Sequence, residues 1–141
     1  MTEIRYAEAA DRDPWFRLDR HLFEEELLRK VRDRRGYFLT EGGRPAGLLR
    51  YNLFWDNTPF CTLLMVEASC RRRGFGTLLM DRWEAEMKAL GYAAVLTSTQ
   101  ADESAQHFYR KRGYKDCGCL IWQVPGQEQP AELFLVKLLM P

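Results

Sequence analysis

The stretch of residues 71–77, Arg71-Arg72-Arg73-Gly74-Phe75-Gly76-Thr77, separates two segments of different periodicity. The segment before it, residues 60–66 (FCTLLMV), is a short apolar run with β-branched and aromatic members, which is typical of a strand. In the segment after it, Leu79, Trp83 and Met87 recur every four residues, which is helical spacing. A strand, a glycine-containing turn and a helix are therefore predicted to follow one another here.

The chemistry of this turn is typical of an anion-binding site. Two glycines between a strand and a helix let backbone N–H groups converge, and the helix N-terminus adds the positive end of its dipole. Three consecutive arginines raise the local positive potential further. Such a turn can hold a pyrophosphate. The alternative is a basic, solvated connection, because short glycine-rich motifs also match by chance.

Composition and charge exclude several classes of protein. A chain of 141 residues with 46% hydrophobic and 29% charged residues is expected to form one globular domain with a buried core. A net charge of +1 argues against a nucleic-acid binder with a broad basic face. The apolar runs are too short to cross a bilayer, and the N-terminus is charged, so we expect a cytoplasmic protein that does not enter membranes.

The four cysteines do not form a metal-site pattern. Cys117 and Cys119 flank one glycine, whereas Cys61 and Cys70 stand alone, and neither CxxC nor paired-histidine spacing occurs. We therefore expect no bound metal. Reduced thiols are expected, because a cytoplasmic location disfavours disulfides.

Hydrophobic periodicity and turn residues predict eleven elements in a single domain, residues 1–141. Strands are predicted over residues 2–8, 37–40, 45–54, 60–66, 93–99, 114–122 and 133–139. Helices are predicted over residues 13–19, with Asp13 as N-cap, and over residues 21–34, ended by Gly36, as well as over residues 74–90 and 102–112. The order β-α-α-β-β-β-α-β-α-β-β combines hairpins with β-α-β crossovers. It predicts an α+β fold with a mixed sheet of about seven strands flanked by four helices.

With these elements in place, the chain resembles the GNAT superfamily of N-acetyltransferases. The element order matches across essentially all 141 residues. The acetyl-CoA signature of the family (Arg or Gln, two residues, Gly, any residue, then Gly or Ala) matches residues 71–76 in full. A second family pattern, in the helix after the fifth strand, matches Ala105, Phe108, Tyr109 and Gly113.

The resemblance implies that acetyl-CoA is the co-substrate and assigns residues to it. Backbone groups of Leu64, Met65 and Val66 would pair with pantetheine, and the Met65 N–H would donate to the thioester carbonyl as negative charge develops there. Backbone N–H groups of residues 71–77 would hold the pyrophosphate. Where the family often has Asn, this chain has Asp102, which only accepts hydrogen bonds when ionised. Asp102 is thus either a cofactor contact or a helix N-cap.

Tyr109 matches the tyrosine that serves the family as general acid. A tyrosine pKa of about 10 lies above a thiol pKa of about 8.5, so the hydroxyl can hydrogen-bond the departing thiolate without full proton transfer. The alternative is a tyrosine packed beside Phe108 with its hydroxyl satisfied by the backbone. No general base stands out. Glu67, Asp56, Glu25 or a chain of waters could serve.

For the acceptor, the candidate binding residues are Trp55, Asp56, Glu25 and Trp122. Aromatic rings together with carboxylates suit a cationic amine. The opposing interpretation is that the tryptophans belong to the core and the glutamates to a solvated helix face. The resemblance predicts acetyl transfer to a primary amine, most simply that of a small molecule, by direct attack in a ternary complex. A protein or peptide amine, and an acyl-CoA-binding module without turnover, are the alternatives, and the protein is expected to be a monomer or homodimer.

Overall fold

The computed structural model describes residues 1–140, which contain seven strands and four α-helices. The strands are β1 (Thr2–Tyr6), β2 (Gly36–Glu41), β3 (Arg44–Phe54), β4 (Thr58–Val66), β5 (Ala94–Gln100), β6 (Lys115–Leu120) and β7 (Glu132–Leu138). The helices are α1 (Arg12–Leu18), α2 (Glu24–Asp33), α3 (Phe75–Ala89) and α4 (Ala105–Lys111). None of the helices in residues 1–140 has the length and apolar character that a membrane crossing requires.

The strands of residues 1–140 form one mixed sheet in the order β1-β2-β3-β4-β5-β7-β6. β1 with β2, β2 with β3, β5 with β7 and β6 with β7 are antiparallel. β4 and β5 are parallel, with Phe60 opposite Leu96 and Cys61 opposite Thr97. A parallel pair needs a crossover connection, and α3 supplies it. The predicted α+β class, the element order and the mixed sheet are confirmed.

The chain divides into two compact units, the first of which comprises Met1–Asn52 and Thr62–Ala85. The core of this unit is a cluster of buried apolar side chains in which the rings of Trp15 and Phe38 stack with centroids 6.0 Å apart. Both rings are fully or almost fully removed from solvent, at 0% and 1% exposure, so they contribute strongly to the hydrophobic stabilisation of this unit.

The second unit comprises Leu53–Cys61 and the chain from Glu86 onward. Its buried residues include Val95 and Thr97 of β5, Leu135 of β7 and Tyr109 of α4. For β5 strand alternation explains the burial, because its alternate residues point to the same face and that face is the buried one. That residues 1–141 behave as a single domain stays a prediction.

A buried ion pair ties the connection between α1 and α2 to β3 within the first unit. The side chain of Asp19 is fully buried, and Arg50 Nε donates to Asp19 Oδ2 at 2.7 Å. Trp15 Nε1 donates to the same oxygen at 3.1 Å, and the His21 backbone N–H donates to Asp19 Oδ1 at 3.2 Å. Arg50 also donates to Thr62 Oγ1 at 2.9 Å. A buried charge is tolerated only when it is paired and hydrogen-bonded in this way.

This ion pair explains why α2 begins later than predicted. The helix starts at Glu24 rather than at residue 21, since Asp19 is extended and its carboxylate holds the backbone N–H of His21. The predicted stop is also wrong. Arg34 takes the left-handed conformation with φ of 56° and ends the helix, and Gly36 is already the first residue of β2.

The start of α1 differs as well. The helix begins at Arg12, so Asp13 is inside it and is not the N-cap. The reason is a preceding 3₁₀ turn, Ala9–Asp11, in which the Asp11 carboxylate accepts the Glu8 backbone N–H at 2.8 Å. The backbone is therefore already helical, as a 3₁₀ turn, before the predicted helix start at residue 13.

Candidate active site

The turn between β4 and α3 has the backbone geometry of an anion site. Arg72 and Gly74 both have positive φ, 63° and 81°. The helix begins at Phe75, and Leu78 N–H donates to Gly74 C=O at 3.0 Å. The N–H groups of the first turn have no intrahelical partner, and Gly74 has no side chain that could cap them. No acidic residue lies in that turn, so its positive end is not neutralised by a carboxylate.

Gly74 also leaves open space beside these N–H groups. A Cβ built on Gly74 would meet no atom within 4 Å, and its φ of 81° lies in the region that favours glycine. An anion can therefore approach the helix start closely. The geometry fits a phosphate group, which is the group that the sequence predicts for residues 71–77.

Two of the three arginine side chains are held by neighbouring protein groups. Arg71 Nε donates to the Val66 carbonyl at 3.3 Å. Arg73 pairs with Glu41 at 2.6 Å, and its guanidinium lies over the Phe75 ring, 4.9 Å from the centroid. Arg71 keeps a net positive charge near the turn, because its partner is a neutral carbonyl, whereas the charge of Arg73 is largely balanced by Glu41.

The predicted pantetheine-binding stretch, Leu64, Met65 and Val66, forms the carboxyl end of β4. Gly47 of β3 lies directly against it, since a Cβ at Gly47 would come within 3.0 Å of the Met65 carbonyl oxygen and 3.2 Å of Leu79 Cδ1. Only glycine fits without displacing the Met65 carbonyl. The position of this backbone is therefore set by close packing, while its contact with pantetheine stays a prediction.

Glu67, a candidate base, has a structural role at the end of β4. Its carboxylate accepts the Ser69 backbone N–H at 2.8 Å and also the Ser69 hydroxyl. These hydrogen bonds hold the pKa of Glu67 below its usual range. A carboxylate with a lowered pKa is a weaker base, so the geometry disfavours Glu67 as the group that deprotonates an amine.

Tyr109 lies on α4 with its side chain almost fully buried. Its ring packs edge-on against Phe108 and Tyr114, with centroids 5.3 and 5.6 Å away. Its hydroxyl hydrogen-bonds the Thr97 side chain, and Thr97 Oγ1 in turn donates to the Cys61 carbonyl at 3.3 Å. Burial raises the pKa of Tyr109 well above its usual value. The hydroxyl therefore stays protonated and can donate a hydrogen bond, whereas full proton transfer from it becomes harder.

The raised pKa of Tyr109 predicts a loss of stability in alkali. The folded protein holds this proton more tightly than the unfolded chain, where the pKa is about 10. Its contribution is thus fully present below about pH 10 and is lost progressively above it, by about 1.4 kcal/mol per pH unit. Urea midpoints between about pH 9 and 11 should fall more steeply for the wild type than for Tyr109→Phe. Parallel curves for the two proteins would contradict this prediction.

Asp102 is not the N-cap of α4. The helix begins at Ala105 after Ser104, and Asp102 lies exposed in the preceding turn. That turn is closed by two hydrogen bonds between Gln100 and Glu103, of 3.0 and 2.9 Å, which delay the helix start. The N-cap interpretation is therefore wrong, and a cofactor contact of Asp102 stays a prediction.

The acceptor candidates lie in three different places. Trp55 and Asp56 form the turn between β3 and β4, and Trp55 is 79% exposed, so it is not a core tryptophan. Trp122 follows β6 and is 37% exposed. Glu25 is exposed in the first turn of α2, as expected of a solvated helix face. Trp55 and Asp56 are neighbours because they are consecutive residues of one turn.

Sequence reasoning missed the aromatic residues around Trp55. Phe54 contacts Trp55 with ring centroids 4.7 Å apart, Phe60 contacts Phe54 at 6.1 Å, and Phe134 contacts Phe60 at 5.8 Å. The available signal was the presence of phenylalanines in three separate predicted strands. Residues 1–140 contain no group of three His, Cys, Asp or Glu side chains that could hold a metal ion.

Solved structures of known proteins share this fold. Ard1 from Thermoplasma volcanium has a TM-score of 0.87 at 17% identity, with 99% of each chain covered. The ribosomal-protein-alanine N-acetyltransferase from Brucella melitensis has a TM-score of 0.81 at 18% identity, covering 96% of this chain and 99% of that one. N-acetylglutamate synthase from Neisseria gonorrhoeae, complexed with coenzyme A and N-acetyl-glutamate, has a TM-score of 0.82 at 16% identity, covering 100% of this chain and 36% of that one.

Sequence identities of 16–18% show that these proteins share the fold of this chain. The family is shown by a match to a family model. No curated protein matches the chain. The model of the acetyltransferase (GNAT) family matches residues 2–114, which is most of the 141 residues. The predicted resemblance is confirmed, and the chain belongs to the acetyltransferase (GNAT) family.

Proposed function

We propose that this protein transfers the acetyl group of acetyl-CoA to a primary amine of a small molecule, by direct attack in a ternary complex. Family membership supports the acetyl transfer. The observation that supports acetyl-CoA as the donor is the start of α3, where open space beside Gly74 adjoins a helix N-terminus with no acidic residue in its first turn. This arrangement suits the pyrophosphate of acetyl-CoA.

In the proposed reaction the neutral amine attacks the thioester carbon, a C–N bond forms and the C–S bond breaks. The amine nitrogen gives up a proton to solvent and the departing sulfur takes one, so the products are an amide and the CoA thiol. The Met65 N–H would donate to the carbonyl oxygen as negative charge builds on it. The hydroxyl of Tyr109, which keeps its proton, would turn that proton from Thr97 to the departing sulfur and donate a hydrogen bond to it.

A thiol-release assay with a panel of amines tests this function. We expect saturable release of CoA thiol with acetyl-CoA and a small primary amine. Release only with peptides or proteins would favour the second candidate, a protein amine acetylase. A shift in thermal unfolding by CoA without any thiol release would favour a non-catalytic binding module, because a ligand of the native state stabilises it even without turnover. Neither a shift nor release would refute the proposal altogether.

Tyr109→Phe is expected to lower kcat roughly 100-fold, since positioned proton donors contribute about that much or more. The affinity for acetyl-CoA should change little, because phenylalanine keeps the ring packing. Tyr114→Phe is the matched control, since Tyr114 is also buried and its ring packs against Tyr109. Initial rates and CoA titrations of both variants give the comparison. Equal rates for Tyr109→Phe and Tyr114→Phe would remove Tyr109 from the mechanism.

A further inference from the structure

An apolar cavity of about 380 Å³ lies within the second unit. It is lined by Phe54, Trp55, Leu96, Cys117, Phe134 and Val136. Apart from the thiol of Cys117, the lining side chains are aromatic or aliphatic. A cavity of this volume with such a lining is typical of sites that bind a small organic molecule.

Trp55, one of the lining residues, has a backbone conformation that lowers the stability of the fold. Its φ of 57° is left-handed, a conformation that bulky residues rarely adopt and that costs about 1–3 kcal/mol. Its side chain is 79% exposed, so burial in the folded protein does little to offset that cost. Glycine would suit the backbone better. Asp56 also has a positive φ, 62°, and Asn57 N–H donates to Phe54 C=O at 3.2 Å, so the hairpin turn imposes this backbone conformation. The feature that points to binding is the large exposed ring that the chain places at this position.

The aromatic side chains next to Trp55 are held in place by contacts with one another. The rings of Phe54, Phe60 and Phe134 form a chain of edge-on contacts, with centroids 6.1 and 5.8 Å apart, that continues from the tilted Phe54–Trp55 contact. A ligand ring can therefore pack against aromatic side chains that are already held in place, which lowers the entropy lost on binding.

Two consecutive residues of β5 contact the cavity and Tyr109, respectively. Leu96 lines the cavity, whereas the side chain of Thr97 hydrogen-bonds Tyr109. Successive side chains of a strand point to opposite faces of the sheet. The cavity and the predicted catalytic tyrosine thus lie on opposite faces of β5, at neighbouring positions along the strand.

We propose that this cavity binds the apolar group of the acceptor, which is a hydrophobic primary amine of the arylalkylamine class. The proposal rests on the proposed function. Asp56 is exposed and directly follows the lining residue Trp55 in the turn, so its negative charge would attract a protonated amine to this part of the molecule. A second copy of this chain fits less well, because a stable dimer needs about 800 Å² of buried surface per partner and this site is a cavity rather than an extended face.

Paired amines test the proposal by kinetics. 2-Phenylethylamine and ethanolamine share the aminoethyl group and differ in the phenyl ring, so burial of the ring should raise kcat/KM about 50-fold for the former. Trp55→Gly should reduce this preference by roughly tenfold without lowering the urea midpoint, since glycine relieves the strained φ. Arg34→Gly is the matched control, because Arg34 is also left-handed with φ of 56° and lies in the first unit. It should leave the amine preference unchanged.

Equal kcat/KM for the two amines, or an unchanged preference in Trp55→Gly, would overturn the proposal. Selectivity for hexanoyl-CoA over acetyl-CoA that disappears in Trp55→Gly would also overturn it, since the cavity would then hold the acyl chain. Self-association that shields Trp55 at rising protein concentration would assign the cavity to a second copy instead.

Direct binding separates this proposal from the proposed function. Trp15 and Trp83 are fully buried, so in Trp122→Phe the one tryptophan that acrylamide quenches readily is Trp55. We expect 2-phenylethylamine to protect Trp55 from quenching in a saturable way and ethanolamine to give no protection. Protection without acetyl transfer would refute the proposed function and leave a hydrophobic-amine site. Acetyl transfer without protection or preference would refute the site and leave the function.

Discussion

Replacing Gly74 by glutamate is expected to weaken acetyl-CoA binding by about 100-fold or more. The new side chain would occupy the open space beside the first turn of α3, where a Cβ now meets no atom within 4 Å. Its carboxylate would lie close to the pyrophosphate, and repulsion between charges about 4 Å apart costs about 1–4 kcal/mol near a protein surface. Calorimetric titration with acetyl-CoA measures the loss, and thermal unfolding with saturating CoA should show almost no shift.

The matched control is Gly126→Glu. Gly126 has φ of 82°, against 81° for Gly74, and a Cβ there also meets no atom within 4 Å. Both substitutions therefore carry a similar strain of about 1–2 kcal/mol and the same added charge. The control should lose stability to the same degree while its affinity for acetyl-CoA stays at the wild-type value. Equal affinities in the two variants would show that the turn before α3 does not bind the cofactor.

Asp19→Ala is expected to give the largest loss of folding stability. The substitution leaves Arg50, with a side chain only 11% exposed, and the Trp15 indole N–H without their shared acceptor. Breaking a buried ion pair in this way costs about 3–5 kcal/mol. The Tm should fall by roughly 10–20 °C, and the urea midpoint should fall with little change in slope.

Two further variants make this prediction specific. Asp13→Ala removes an aspartate whose side chain is 78% exposed and paired with Arg12, and it should leave the urea midpoint almost unchanged. In the double variant Asp19→Leu with Arg50→Met both charges are absent, so no uncompensated charge is buried and much of the lost stability should return. A midpoint for Asp19→Ala equal to that of Asp13→Ala would show that the buried pair contributes nothing.

Most of the fold could be predicted because it depends on local patterns. The strand before residue 71 and the helix after residue 74 each have the right periodicity, and the glycines mark the turn between them. The helix ends could not be predicted as well, because contacts from outside each helix set them. The start of α2 depends on Asp19, whose carboxylate is held by Arg50, 31 residues further along the chain.

The candidate site also has a part that local sequence predicts and a part that it does not. The motif alone predicts that residues 71–77 hold a pyrophosphate, and that role stays a prediction. The structure adds the positive φ of Arg72 and Gly74 and the open space at the helix start. The exposure of Trp55 was not predictable, because a tryptophan between two strands is usually a core residue. Only its left-handed φ and the cavity beside it distinguish it from one.

The order of the elements could be read from local periodicity and turn residues, and the family from the resemblance of two short motifs to GNAT patterns. The pyrophosphate role of residues 71–77 stays a prediction. The buried pair of Asp19 and Arg50, the hydrogen bond of Tyr109 to Thr97 and the cavity beside Trp55 emerge only in the folded protein. Each of these joins residues that are distant in sequence and come together only when the strands pair. Side-chain burial and hydrogen-bond partners depend on that pairing, and no local pattern encodes it.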